Sequence, residues 1–180
     1  MTRILILFAH PALEKSRVHK QLLRSIPAAP SIRLHDLYEQ YPDFLIDVER
    51  EQQLLLQHDL IVLQHPFYWY SMPAILKQWM DLVLEHGWAY GTGGTALKGK
   101  TMFNAISCGG SEASYLPGGR HEYSVDDFLI PFKQTAKLCH MGYGSPFIVY
   151  GTHKLDVTGI QEAAKSYGMW LSEIVEAVKI

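Results

Sequence analysis

Cysteine is nearly absent. Cys108 and Cys139 are the only two in the chain, too few for a disulfide framework, and a free-thiol, reducing compartment is the simpler reading. An excess of one charge is missing too. Sixteen Lys and Arg against eighteen Asp and Glu leave a formal net charge of -2. With no basic field to hold a phosphate backbone, no nucleic-acid partner is expected. No apolar run approaches the roughly 20 residues that cross a bilayer. The apolar stretch Ile4 to Ala9 runs straight into a polar motif, without the length or cleavage site of a signal peptide, so a cytoplasmic location is expected. Repeats and low-complexity tracts are lacking. So are G-x-G-x-x-G and, among nine histidines, any H-E-x-x-H or paired-cysteine spacing. A dinucleotide fingerprint and a metal site are therefore not expected. What is present is apolar content, 48% of residues against 19% charged, which excludes a disordered chain. A chain of 180 residues buries roughly 70% of its unfolded surface, and one domain over 1–180 is expected.

Arg3 to Ala9 is apolar without alternation and reads as a strand covered on both faces. Ser16 to Ile26 has helical spacing through Val18, Leu22, Leu23 and Ile26, stopped by Pro27 and Pro30. Ser31 to Leu37 reads as a short strand, Asp47 to Gln57 as a helix with Val48, Leu54, Leu55 and Leu56 as its apolar members, and Leu60 to Gln64 as a second buried strand. Ser71 is placed as the cap of a helix running towards His86, with Ile75, Leu76, Trp79, Leu82 and Val83 inward. Thr101 to Ser107 is a strand, Val125 to Cys139 mostly helix with Pro131 as a kink or delay, and Pro146 to Tyr150 the fifth strand. Thr158 to Val178 is the last helix, with Thr158 and Gln161 as a capping box. Strand and helix alternate five times. The expected fold is α/β: a doubly wound, five-stranded parallel sheet with helices on both faces. Such sheets bind ligands beyond the carboxyl ends of their strands.

Three segments sit at those ends. HPALEKSRVHK, His10 to Lys20, leads into a helix whose first turn offers free amides. Ser16, Arg17, His10 and His19 add donors, a plausible phosphate cradle; the plainer alternative is an ordinary Ser16 cap. HPFYWYSMP, His65 to Pro73, is aromatic without a break. It suits a loop against a flat cofactor ring, unless Phe67 and Trp69 simply pack beneath it as core. SCGGSEASYLPGGRH, Ser107 to His121, combines glycines that permit close backbone approach with Tyr115 and His121, which can give or take protons. The alternative is a surface loop with incidental side chains. Gly94 to Thr101, GTALKGKT, has Walker A spacing but precedes a strand instead of following one, so phosphate binding by Lys100 is not expected. Cys108 follows a strand without a helix cap or an acid–base partner, which argues against a thiol nucleophile.

Together with HDLYEQYPDFLIDVEREQ (His35 to Gln52), QHPFYWYSMPAILKQWMD (Gln64 to Asp81) and HGWAYGTGGTALKGK (His86 to Lys100), these segments resemble the flavodoxin-like NAD(P)H:quinone oxidoreductases. Within that family they are most similar to the small ancillary subunits of glutathione-gated potassium/proton antiporters. The resemblance implies a flavodoxin-like fold with FMN, in preference to FAD, at the carboxyl edge of the sheet. It also implies two-electron, ping-pong hydride transfer from NAD(P)H to a quinone. It would place the flavin phosphate at His10, Ser16, Arg17, Val18 and His19, and the ring at Pro66, Phe67, Tyr68, Trp69 and Tyr70. The pyrimidine edge would meet Ser107, Cys108, Gly109 and Gly110, with Tyr115 and His121 as the catalytic pair. His19 stands where the family carries Asn, and Cys108 where it carries Thr, a hydroxyl exchanged for a weaker thiol donor. The implied partners are a second copy, in a homodimer with Trp88 and Tyr90 near its interface, and an antiporter held by peripheral contact on the inner face of the membrane. A flavodoxin-type electron carrier would need a strongly acidic surface, which a net charge of -2 does not supply.

Overall fold

The computed structural model describes residues 2–177. Six strands, β1 (Ile4–Phe8), β2 (Ile32–Asp36), β3 (Leu60–Pro66), β4 (Thr101–Ser107), β5 (Gly142–Tyr143) and β6 (Phe147–Val149), form one parallel sheet. Its order is β2-β1-β3-β4-β5, with β6 also paired to β4. β5 and β6 thus share the fifth ladder position. The expected fifth strand, Pro146 to Tyr150, is present as β6, trimmed to Phe147–Val149; β5 is an additional two-residue pairing ahead of it, and at Gly144, between the two, a Cβ would lie 2.0 Å from the Phe103 ring.

The apolar strand runs serve two cores. Leu5 and Leu7 face one side with Ile61 and Leu63; Ile4 and Ile6 face the other with Leu60 and Val62. Alternate side chains on a strand point to opposite faces, so a strand covered twice is apolar on both faces, except where buried polar side chains find partners, as Gln64, His65 and Asn104 do. The Ile4/Ile6 face is covered by α1 (Arg17–Arg24) and α7 (Val157–Ala177), which pack on each other. The Leu5/Leu7 face is covered by α3 (Val48–Leu56), α4 (Ala74–Val83) and α6 (Ile130–Leu138). Two single-turn helices, α2 (Leu37–Gln40) and α5 (Val125–Phe128), complete the set.

Several boundaries differ from the sequence reading. On α4 the buried stripe is Ile75, Leu76, Trp79, Met80 and Val83; Leu82, one step off it, is 41% exposed. Ser71 does not cap α4, which is entered through Pro73. The helix expected over Val125 to Cys139 is two helices. Ser124 and Asp127 form a capping box on the first, and Pro131 falls in the first turn of the second, where its missing N–H costs nothing. At α7 the cap is Asp156, whose carboxylate accepts from the Gly159 N–H at 2.8 Å, in place of Thr158 with Gln161. Val178, the expected helix end, lies outside the described residues. No helix among the described residues is long and apolar enough to cross a membrane.

Candidate functional site

The sheet order reverses direction between β1 and β3, and this switch point opens a crevice at the carboxyl ends of the strands. A cavity of about 530 Å³ lies there, lined by His10, Ala12, Lys15 to Val18, Pro66 to Tyr68, Ser107, Gly109, Thr152 and His153. That volume falls within the range of small-molecule sites.

At one end stands the N-terminus of α1. Ser16 is its cap, the Oγ accepting from the His19 N–H at 3.1 Å. The N–H groups of Arg17 and Val18 keep no helical partner, while the Val18 side chain is buried in the core. Lys15 and Arg17 bring positive charge, and the Arg17 guanidinium also donates to the Leu155 carbonyl at 2.8 Å, tethering the loop after β6. His10 Nδ1 accepts from the Ala12 N–H at 3.1 Å, leaving Nε2 as the donor of the neutral ring. Burial pulls the His10 pKa below its ordinary value, with Glu14 opposing.

At the other end, Phe67 is tied to β4 through its N–H and the Ser107 carbonyl at 2.9 Å, and it packs on Tyr70, Tyr115 and Phe128. The next three residues form a tight turn closed by the Ser71 N–H on the Tyr68 carbonyl at 3.0 Å. Its central residues, Trp69 (φ 50°) and Tyr70 (φ 62°), are both left-handed, a backbone that costs each non-glycine residue about 1–2 kcal/mol. The turn throws the Trp69 indole into solvent, 92% exposed. Thus Phe67 is packed beneath the loop and Tyr68 lines the cavity, whereas Trp69 and Tyr70 do not.

After β4 the glycines let side chains approach the backbone closely. A Cβ on Gly109 would lie 2.7 Å from His153 Nε2, and one on Gly110 would lie 3.1 Å from both Tyr115 and His121. Tyr115 and His121 stack at 4.4 Å between ring centres, beside the cavity over Gly110 and not in its wall. Tyr70 Oη and His121 Nδ1 are 3.3 Å apart. Burial, then the neighbouring Cys108, pushes the Tyr115 phenol up to about 12, so it keeps its proton. Cys108 is fully buried. Its N–H donates to the Val149 carbonyl and its carbonyl accepts from the Thr152 N–H. Burial pushes its thiol up to about 12, so no thiolate forms near neutral pH. Lys100, in the Walker-like stretch, donates to the Leu56 and His58 carbonyls, outside the cavity.

His19 is not in the wall either. It is buried on α1, with Nε2 at 2.9 Å from Ser107 Oγ and Nδ1 facing the Gln64 side chain at 3.4 Å. Burial, then His10 and His65, depresses its pKa to about 3; burial holds His65 at about 4. Both rings are neutral in the folded protein but take a proton near 6.5 when unfolded. Their contribution is therefore complete above pH 6.5 and is lost as the pH falls from there towards the folded values. Urea midpoints measured at pH 7, 6 and 5 should fall, with each histidine costing on the order of 1.4 kcal/mol per pH unit below about 6. A midpoint independent of pH over that range would contradict this burial account.

Thr152 and His153 escaped the sequence reading, which looked beyond strands one, three and four only. Applied to the fifth ladder position, the same rule about carboxyl ends points to their loop. Lys15 and Ala12, though inside the quoted first segment, carry no motif signal.

A family model described as the flavodoxin-like fold matches residues 2–171. The glutathione-regulated potassium-efflux system ancillary protein KefG of Pectobacterium carotovorum is 45% identical over 170 residues, 94% of this chain and 93% of that protein. The general stress protein 14 of Treponema denticola, solved in complex with FMN, superposes with a TM-score of 0.91 at 39% identity, covering 96% of this chain and 99% of that one. An NADPH-quinone reductase from P. pentosaceus superposes at 0.85 with 31% identity, over 94% and 97%.

Proposed function

The chain belongs to the family with the flavodoxin-like fold, and from that premise we propose that it is an FMN-dependent NAD(P)H:quinone oxidoreductase. The observation that carries this is the cavity at the switch point, with an anion-ready helix end at one side and Phe67 and Tyr68 at the other. The residues present fit the mononucleotide. Its phosphate would be held by the Arg17 and Val18 amides, Ser16 and the Lys15 and Arg17 cations; its ring would lie along the Pro66 to Tyr68 backbone and Gly109. When bound, FMN supplies the two-electron chemistry that joins a nicotinamide donor to a quinone acceptor. The chain's own groups bind, orient and hold protons. Tyr115 retains its proton beside the site, and the His121 ring, in contact with Tyr70, offers a second proton-bearing group over Gly110. The left-handed turn leaves the Trp69 face free for a substrate or a second copy.

A second reading is supported by the identity to the KefG proteins: a peripheral ancillary subunit of a potassium-efflux antiporter, on the cytoplasmic side, working as a homodimer. It is compatible with turnover. Trp88 and Tyr90 are partly buried against the core, and the remainder of their surface would meet the second copy in such a dimer. The deciding experiment is extraction. Protein purified with its cofactor should be yellow, should be bleached by NAD(P)H, and should release FMN on denaturation. Release of FAD alone, or a protein that neither carries nor takes up flavin, would overturn the assignment.

A further inference from the structure

Beneath the cavity floor, a line of four buried or half-buried side chains runs from α7 along the face of the sheet that α1 and α7 cover. The Tyr167 hydroxyl meets Gln64 Oε1 at 2.8 Å, Gln64 Nε2 faces His19 Nδ1 at 3.4 Å, and His19 Nε2 meets Ser107 Oγ at 2.9 Å. Such a line can be hydrogen-bonded in either of two senses. One end decides between them. The Tyr167 ring is fully buried, packed by Phe147 and Trp170, and among the described residues its hydroxyl bonds to Gln64 alone. If the Gln64 amide were turned round, the Tyr167 proton would have no acceptor, and a buried unmade hydrogen bond is more costly than any gain elsewhere in the line. Tyr167 must therefore donate to Gln64 Oε1. Gln64 then donates to Nδ1 of the neutral His19, and His19 donates from Nε2 to Ser107.

We propose that Tyr167, acting through Gln64 and His19, fixes Ser107 as a hydrogen-bond donor into the cavity. With Oγ already accepting from His19, the one free proton of the hydroxyl turns towards the ligand. Ser107 lines the cavity, so it selects a ligand atom that accepts, such as a phosphate, hydroxyl or carbonyl oxygen. Tyr167, Gln64 and His19 are positioning residues; none of them is in the cavity wall. A second line on the other face obeys the same logic and ends inside the protein. Tyr143 donates to Asn104, Asn104 to His65 Nε2, and His65 Nδ1 to the Pro66 carbonyl. Only the Tyr167 line ends on a group with a proton left to give.

The identification of the accepting ligand with FMN rests on the function proposed above, and the test separates the two. Nitrogen-15 spectra of the histidine-labelled, cofactor-free wild type should show His19 with a protonated Nε2 and a bare Nδ1, unchanged from pH 8 to pH 5. A protonated Nδ1, or an imidazolium, would overturn the relay. Tyr167→Phe should bring in the second tautomer. Because the competent form then falls to about half, FMN should bind about two-fold more weakly in a fluorescence titration. In a Ser107→Ala background the same substitution should leave the FMN dissociation constant unchanged. A Tyr167→Phe protein with the wild-type tautomer and affinity would overturn the part given to Tyr167. Should that variant not fold, the wild-type tautomer still decides. Wild-type protein with the expected tautomer but no affinity for FMN would sink the cofactor assignment and support the relay.

Discussion

Replacing Tyr115 by Phe or His121 by Gln is expected to slow the NAD(P)H-driven reduction of bound flavin by about ten-fold or more, with flavin occupancy matched to the parent. The two substitutions keep most of the volume and change the proton chemistry. Tyr115 is buried and its pKa is pushed up to about 12, so at neutral pH its hydroxyl is a donor. Its neighbour in the buried cluster is the Cys108 thiol, and a thiol is a weaker hydrogen-bond partner than a ligand oxygen. A donor that is strengthened only as negative charge develops beside it lowers the barrier without tightening the ground state. One such bond is worth roughly 1.4 kcal/mol, a factor of about ten in rate. Stopped-flow mixing under single-turnover conditions reads this directly. If both variants were reduced at the parental rate, Tyr115 and His121 would be packing residues only. Tyr70→Phe, which removes the contact to His121 Nδ1, separates the two contributions: it should reproduce part of the His121 effect and none of the Tyr115 effect.

Glu51→Ala is expected to be strongly destabilising. Glu51 is wholly buried on α3, yet its carboxylate is fully used. Oε1 accepts from Tyr41 at 2.6 Å and meets His35 Nε2 at 2.8 Å; Oε2 accepts from the Trp79 indole at 2.8 Å. Burial alone would raise its pKa, but the contacts from His35, Tyr41 and Trp79 outweigh burial and leave it below the ordinary 4.5. Its stabilisation is therefore present above about pH 4.5 and is lost as the pH falls through the lower folded value. Removing the carboxylate strands three buried partners at once, at a cost of about 3–5 kcal/mol. In a chain of this size that lowers the melting temperature by on the order of 10 °C. Glu51→Ala protein melting within a degree of the parent would show that the network adds nothing.

Glu51 also marks where the sequence stops being readable. Hydrophobic spacing finds Leu54 and Leu55, but a carboxylate on the inner face of α3 looks like solvent-facing charge until its three partners, distant in the chain, are brought to it. Leu56, by contrast, reads as apolar and is exposed. β1 is legible because burial on both faces writes itself as an unbroken apolar run, and β3 and β4 because apolar residues still dominate around the buried Gln64, His65 and Asn104. At the fifth ladder position β6 is legible within Pro146 to Tyr150, whereas β5, two residues long, is too short to leave a pattern. For the site, placing ligand groups after strands one, three and four locates most of the cavity wall. It does not fix how far individual side chains reach. His19 and Cys108 lie under the wall, Trp69 points away from it, and Tyr115 and His121 stand beside it. Sequence position tells which loop a residue occupies. The direction of its side chain is set by the turn at Trp69 and Tyr70, and by hydrogen bonds to residues far along the chain.

The cavity wall is drawn from positions near 10–18, 66–68, 107–109 and 152–153, one contribution after each of β1, β3, β4 and β6. No fragment of the chain owns enough of it to hold a ligand, so occupancy reports that these four strands have come together. Whatever binds there binds the native state alone, and at a hundred times its dissociation constant adds about 2.7 kcal/mol to the unfolding free energy of the whole chain. Proteases that act on transiently opened molecules would meet the open form roughly a hundred times less often in the loaded protein. The abundance of this protein in a cell would then follow the supply of its ligand, with no dedicated regulator required.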